Sequence, residues 1–257
     1  MPKTLILIPS RMSATRLPGK PLLKINNLSI ISHVVNKAKK TAIGRVVVCA
    51  EDQSIFDDVI KNGGEAILTG DYHKSGTDRI FEGYKKLNIS DVDYIVNIQG
   101  DEPALVEQDI IKLNNLMIKN DSDIGTLAAE IKDEKMFSNK NIVKVRTEKK
   151  LDNKNFLPAL SFIRNYVPKK KENIYHHIGI YAYNVKTLEK FVNLNQTKNE
   201  IKNKLEQLRA LDNNFKINVT LAKNSPIGED LAKVILIFKL LSNALSCSNR
   251  FSISFLV

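Results

Sequence analysis

The sequence has no tryptophan, two cysteines, eight prolines and eleven glycines. Cys49 and Cys247 lie far apart with no zinc-type spacing, which argues against a disulfide framework or a cysteine-ligated metal and fits a reducing compartment. Long hydrophobic runs are missing too. Residues 4–8 stop at Pro9, too soon for a signal-peptide core, and residues 234–241 are interrupted by Lys239, well below the ~18 residues of a membrane span. The chain is therefore expected in the cytoplasm, without a membrane partner. Acidic residues are the last shortage: 28 Asp and Glu against 39 Lys and Arg leave a formal charge of +11. Only eight of those cations are Arg, and the chain is crowded with Asn and Ile, so most of the excess reads as lysine scattered over solvated faces. The rest points to an anionic partner. With no recognition helix, zinc motif or aromatic-basic pattern, nucleic acid ranks last among such partners.

What is present is an ordinary globular composition, 43% hydrophobic and 26% charged, over 257 residues, enough for a sizeable core. Continuous apolar runs at residues 4–8, 45–50, 64–68 and 94–98 read as buried strands, separated by helical periodicity at residues 30–38, 53–62 and 77–87. Strands alternating with helices predict an α/β, Rossmann-like fold, a mostly parallel sheet flanked by helices on both faces. Further on, the pattern predicts helices over residues 107–119, 185–191 and 200–211 and one starting near residue 229. It predicts strands at 124–131, 178–183 and 217–221, and a strand-like piece at 141–145 within a polar stretch at 132–157. No repeat or linker divides the chain. Residues 1–243 are read as one domain whose second half carries insertions, and residues 244–257 as an atypical tail.

The chemistry begins in the loop after the first strand, Pro9-Ser-Arg-Met-Ser-Ala-Thr-Arg-Leu-Pro-Gly-Lys-Pro-Leu22. In a doubly wound sheet, ligands bind outside the carboxyl ends of the strands. Arg11, Arg16 and Lys20 supply three cations there, Gly19 permits close backbone approach, and Ser13 and Thr15 add hydroxyl donors, a set suited to phosphate oxygens. It is not a GxxxxGK[ST] loop, so ordinary P-loop hydrolysis is not implied.

This loop resembles the N-terminal signature of the sugar-acid cytidylyltransferases, most closely the 3-deoxy-manno-octulosonate (KDO) family. Five other segments agree in order: Ser75-Gly-Thr-Asp-Arg79, Asn97-Ile-Gln-Gly-Asp-Glu-Pro103, Asn141-Ile-Val-Lys-Val145, His176-His-Ile-Gly-Ile-Tyr181 and Leu205-Glu-Gln-Leu-Arg209. The resemblance implies a nucleotidyltransferase fold and a Mg²⁺-dependent transfer of CMP from CTP to KDO for lipopolysaccharide synthesis, with pyrophosphate released and a homodimer as the working form. It implies catalytic roles for Arg11, Arg16, Lys20 and Asp101. Pro9, Ser10, Arg11, Ser13, Lys20, Ser75, Gly76, Asp78 and Arg79 would line the nucleotide side, and Gln99, Arg164, His177, Tyr181, Glu206 and Gln207 the sugar-acid side. Such a transfer needs cations on phosphate oxygens and in-line positioning more than covalent chemistry. Asp101, following a buried strand at its carboxyl end, can hold Mg²⁺ against the phosphates, and Thr77 or Asp78 is a plausible cap of the helix after Ser75.

One departure stands out. The family closes on Gly-Val-Asp-Thr-x-Glu-Asp-Leu, whose first Asp is a second metal ligand, whereas this chain reads Ser225-Pro-Ile-Gly-Glu-Asp-Leu231. Either Asp230 takes the ligand position or a Val-Asp-Thr segment is deleted, the alternative favoured by the helical run that follows. An active transferase, a catalytically impaired nucleotide or sugar-acid binder, and a transferase for a related acid are the competing readings.

Overall fold

Seven consecutive buried residues form the first strand, β1 (Thr4–Ser10), buried because helices cover both faces of the sheet around it. The computed structural model describes residues 2–13, 18–167 and 172–223. After β1 come the short strands β2 (Lys24–Ile25) and β3 (Leu28–Ser29), α1 (Ile30–Lys40), β4 (Gly44–Ala50), α2 (Gln53–Lys61), β5 (Ala66–Leu68), α3 (Gly76–Leu87) and β6 (Tyr94–Asn97). The second half follows with α4 (Glu107–Asn120), β7 (Ile124–Ala129), α5 (Lys135–Ser138), β8 (Lys144–Thr147), β9 (Leu157–Ile163), β10 (Asn173–Asn184), α6 (Val185–Val192), α7 (Lys198–Asn203), α8 (Gln207–Asp212) and β11 (Ile217–Leu221).

Nine strands join in the order β5-β4-β1-β6-β10-β7-β11-β9-β8. The chain winds outward from β1 to β5, then crosses back to place β6 on the other side of β1, with all of these pairings parallel. That reversal opens a crevice beyond the carboxyl ends of β1 and β6, the usual ligand position in such sheets. Two apolar cores flank the sheet. One packs Ile31, Val35, Val59 and Leu113 of α1, α2 and α4 against Ile6, Ile8 and Val96. The other packs Ile80, Leu188 and Leu208 of α3, α6 and α8 against Leu5, Leu7 and Ile95.

The parallel expectation holds for the first half and for β11 beside β7. It fails at β10, which runs antiparallel to both β6 and β7, and at β8 and β9. A strand buried on both faces reads as an apolar run whichever way it points, so periodicity carries no direction. Several boundaries also change. The helix expected over residues 200–211 is two, because Lys204 turns into the left-handed region at φ 52°. That turn lets Arg209 of α8 fold back on Glu200 of α7, donating at 2.8 Å from Nε and 2.6 Å from Nη2 in a buried pair. The strand at 141–145 starts only at Lys144, and β9 arises in a segment with no strand expectation. The cap of α3 is neither Thr77 nor Asp78 but Ser75, whose Oγ accepts from Asp78 N at 3.0 Å. The expected helix from residue 229 and the tail at 244–257 lie outside the described residues.

Candidate active site

Two close approaches build the crevice. Gly100 sits where an added Cβ would come within 2.9 Å of Pro9 O, and Gly76 where one would come within 3.1 Å of Pro9 Cγ. Small residues therefore let the loops after β6 and before α3 converge on the end of β1. The loop that leaves β1 is pinned at both ends. Met12 N donates to Asp52 Oδ2 at 2.9 Å, and Gly19 N, at φ 74°, donates to Met12 O at 3.0 Å. Gly19 then caps the 3₁₀ turn Lys20–Leu22, which carries Lys20 to the mouth of the crevice. There Lys20 Nζ meets Asp101 Oδ2 at 2.7 Å. Lys20 is 20% exposed and Asp101 47%, so the carboxylate still faces solvent. Arg11 and Ser13 are exposed beside them, Ser13 Oγ lying 3.4 Å from Glu51 Oε1, and the buried Ser10 Oγ has no partner among the described residues. Arg16 lies outside the described residues.

Arg79 behaves differently from the expectation. It is 2% exposed, and its guanidinium donates to Thr69 Oγ1 at 2.8 Å and Gly70 O at 2.9 Å and pairs with Glu51. A cation so engaged ties the ends of β4 and β5 to α3. The physical reason is helical phase: Arg79 shares the inward face of α3 with Ile80 and Gly83.

The residues expected on the sugar-acid side assemble on the α3, α6 and α8 side of the sheet. Along β10 the register slips by two residues between Ile178 and Tyr181, a bulge that keeps His177 and Tyr181 on one face. Thr126 fills the slip, donating to Ile180 O at 2.8 Å and lying 3.1 Å from His177 Nε2. A ladder of rings results: Phe162 edge-on to His177 at 5.0 Å, then Tyr181 at 5.4 Å and Tyr183 at a further 5.8 Å. Burial, reinforced by His176, pushes His177 down to about 3, so its imidazole is neutral at physiological pH. Burial also raises Tyr181 well above the ordinary phenol range.

Glu206 closes the group from the start of α8. Its Oε2 accepts from Thr77 Oγ1 at 2.9 Å, joining the segment that begins α3 to the sugar-acid group. The residue is 30% exposed, yet Oε1 is itself buried without a hydrogen bond, its nearest cation being Arg209 at 3.9 Å. Burial outweighs its hydrogen bonds and raises the carboxyl above its ordinary range. Tyr181 Oη and Asn97 Oδ1 are likewise buried without partners among the described residues. Gln207 lines a small cavity with Tyr181, Tyr183 and Glu206. Gln99 reaches Gly179 O at 3.4 Å, beside the bulge. Arg164 donates to the carbonyls of Lys140, Asn203 and Lys204 at 3.1–3.3 Å, which places it at the α7–α8 turn, two residues from Glu206. Sequence reasoning missed Glu51, Asp52, Thr77 as a ligand of Glu206, and Thr126. Thr77 could have been found, since it sits inside a quoted motif, but Asp52 and Thr126 acquire their roles only through contacts distant in sequence.

A cytidylyltransferase family model matches residues 5–217. The 3-deoxy-manno-octulosonate cytidylyltransferase of Rhizobium etli (strain CIAT 652) is 42% identical over 229 residues, covering 89% of this chain and 90% of the relative. This chain is a member of the 3-deoxy-manno-octulosonate cytidylyltransferase family. The Brucella anthropi enzyme of that name is equally similar, 42% identical over 230 residues, covering 89% of this chain and 92% of the relative. The solved structure of CMP:2-keto-3-deoxy-manno-octonic acid synthetase complexed with CTP superposes with a TM-score of 0.83 at 31% identity, covering 94% of this chain and 99% of the other. The resemblance read from six motifs thus extends to the whole architecture.

Proposed function

We propose that this member of the family transfers CMP from CTP to KDO, releasing pyrophosphate. The observation that carries the proposal is the Lys20–Asp101 pair in the crevice between β1 and β6, where a triphosphate placed against the β1 loop meets Lys20 and Arg11. The anomeric hydroxyl oxygen of KDO attacks the α-phosphorus, the bond to the β,γ-diphosphate breaks, and the two cations offset the charge that develops on the departing pyrophosphate. Neutral His177 and the hydroxyl of Tyr181 suit sugar hydroxyls, and Arg164 suits the carboxylate. Tyr181 Oη and Asn97 Oδ1, without hydrogen-bond partners among the described residues, and Glu206 Oε1, which pairs with Arg209 at 3.9 Å, leave polar capacity on this side for a hydroxylated ligand.

Asp101 fits a Mg²⁺ ion, which takes one or two carboxylates, keeps several waters and leans on substrate phosphates. Among the described residues no group of three or more His, Cys, Asp or Glu converges, so Asp101 is the carboxylate that would hold the ion; Asp230 lies outside the described residues. When bound, the ion would neutralise phosphate charge, and Lys20, released from Asp101, would turn to the triphosphate. Incubation with CTP, KDO and Mg²⁺ should release pyrophosphate; no release above a control without sugar overturns the proposal, and CTP binding without turnover favours the impaired-binder reading. A panel of related sugar acids tests the acid specificity. A homodimer in the cytoplasm belongs to the same proposal, supported by the family and by the absence of a membrane-length apolar helix among the described residues. Sedimentation at monomer mass would remove the dimer.

A further inference from the structure

Lys144 is the largest fully buried side chain of the described residues, with no exposed surface. Strand register sets it opposite Ile163 on β9 and His176 on β10. Its ammonium donates to two main-chain oxygens, Asn139 O at 2.6 Å and Arg164 O at 2.7 Å. Among the described residues no carboxylate forms an ion pair with it, and burial together with the nearby Arg164 guanidinium lowers its affinity for the proton below that of an ordinary lysine. A methionine of similar volume would avoid that desolvation, so packing alone does not account for an ammonium here. What the ammonium does is fix two stretches of backbone, the 139–140 turn and the end of β9.

We propose that Lys144 is a positioning residue for Arg164 and, through it, for the carboxylate of the sugar acid; this rests on the sugar-acid reading above. The two cations divide the work. Lys144 clamps the main chain of Arg164 with one short bond, at 2.7 Å. The guanidinium is held only by longer contacts, to Lys140 O and Asn203 O at 3.3 Å and Lys204 O at 3.1 Å. Those contacts occupy three of its five donors. The stem is thus fixed while the fork can exchange weak carbonyl bonds for a shorter, charge-assisted pair with a carboxylate. Neighbouring cations that meet only carbonyl oxygens leave a local excess of positive charge, and an anionic sugar supplies the missing counter-charge. Because Arg164 also touches the residues just before Glu206, its aim and that of the α8 start are set together.

Steady-state kinetics of Lys144→Met, and of Lys144→Gln, which removes the charge while keeping a donor, test the proposal. KM for KDO should rise about tenfold while KM for CTP and kcat stay within about threefold. In an Arg164→Ala background the same substitutions should add less than about twofold, since two residues acting as one unit are not additive. Equal rises in both KM values, or penalties that add, overturn the proposal. On the unmodified protein, the Lys144 Cε and Nζ resonances should move when KDO is added and stay in place with CTP alone; resonances indifferent to KDO overturn it even if neither variant folds. A wild-type chain that leaves KDO unconverted removes the sugar-acid reading itself, whereas an active wild type with unaffected variants removes only the role of Lys144.

Discussion

The two halves of the sheet present their chemistry in different ways. On the β1–β6 side, the groups proposed to meet the triphosphate come from loops that follow strands, and glycines bring those loops together. On the β7–β11 side, three of the groups proposed to meet the sugar acid depend on partners far away in sequence: His177 on Thr126, Glu206 on Thr77, Arg164 on the carbonyls of Lys140, Asn203 and Lys204. A phosphate can be held by backbone approach and mobile cations, so a short loop suffices. A branched, hydroxylated acid needs donors and acceptors fixed at several angles, which requires several elements braced against one another.

The contrast can be broken most severely at its nucleotide pole. Lys20→Ala or Asp101→Asn should lower kcat/KM by about a thousandfold with thermal stability unchanged, because groups that act on developing charge carry effects of this size; kinetics beside a melting curve check it. The opposite pattern is expected at Arg209→Met, which leaves Glu200 charged and buried in a site only 5% exposed. Removing one partner of such a pair costs about 3 kcal/mol, read from urea unfolding, with activity falling only as the α7–α8 turn loosens. Thr77→Val removes the bond that joins the two halves. It should raise KM for KDO about tenfold, leave KM for CTP within about threefold, and cost about 1–2 kcal/mol of stability through the unpaired carboxylate. At Asp52→Asn the amide can still accept from Met12 N, so KM for CTP should rise only about threefold.

Stability against pH probes the buried ring ladder on the same side of the sheet. His177 has its folded value depressed to about 3 from 6.5. Its stabilising contribution is complete above pH 6.5 and is lost as pH falls, since the unfolded chain takes up a proton the folded one refuses. One such proton gives a slope of about 1.4 kcal/mol per pH unit between those values. His177→Gln should flatten the upper part of that curve. Glu82, held down to about 2 by Lys86, His73 and Gly70 against the opposing effect of burial, adds loss only below about pH 4.5. Unfolding midpoints at a series of pH values separate the two.

Legibility in the sequence follows the same division. β1, β4, β6, α1 and α3 were readable because each is a local run with its own period, and Lys20 and Asp101 because they follow buried strands. β9 was not, since its burial pattern is only half filled and its pairing with β8 and β11 comes from distant residues. The break at Lys204 was hidden by apolar periodicity that continues through it, and is imposed by the ion pair it permits between Arg209 and Glu200. Arg79 is a related case: its type and its motif point to a ligand, while its position on the inward face of α3 engages it with Glu51, Thr69 and Gly70.

Sequence alone determined the class of fold and the resemblance to a transferase family, and singled out the loop proposed to receive phosphate, because short motifs and local periodicity specify nearby backbone. Only the tertiary structure decided which way β10 runs, which described cations are engaged, and which partners Thr77, Thr126 and Lys144 find. Those outcomes depend on burial and on partners tens of residues away, and a buried polar group takes its meaning from the partner it finds.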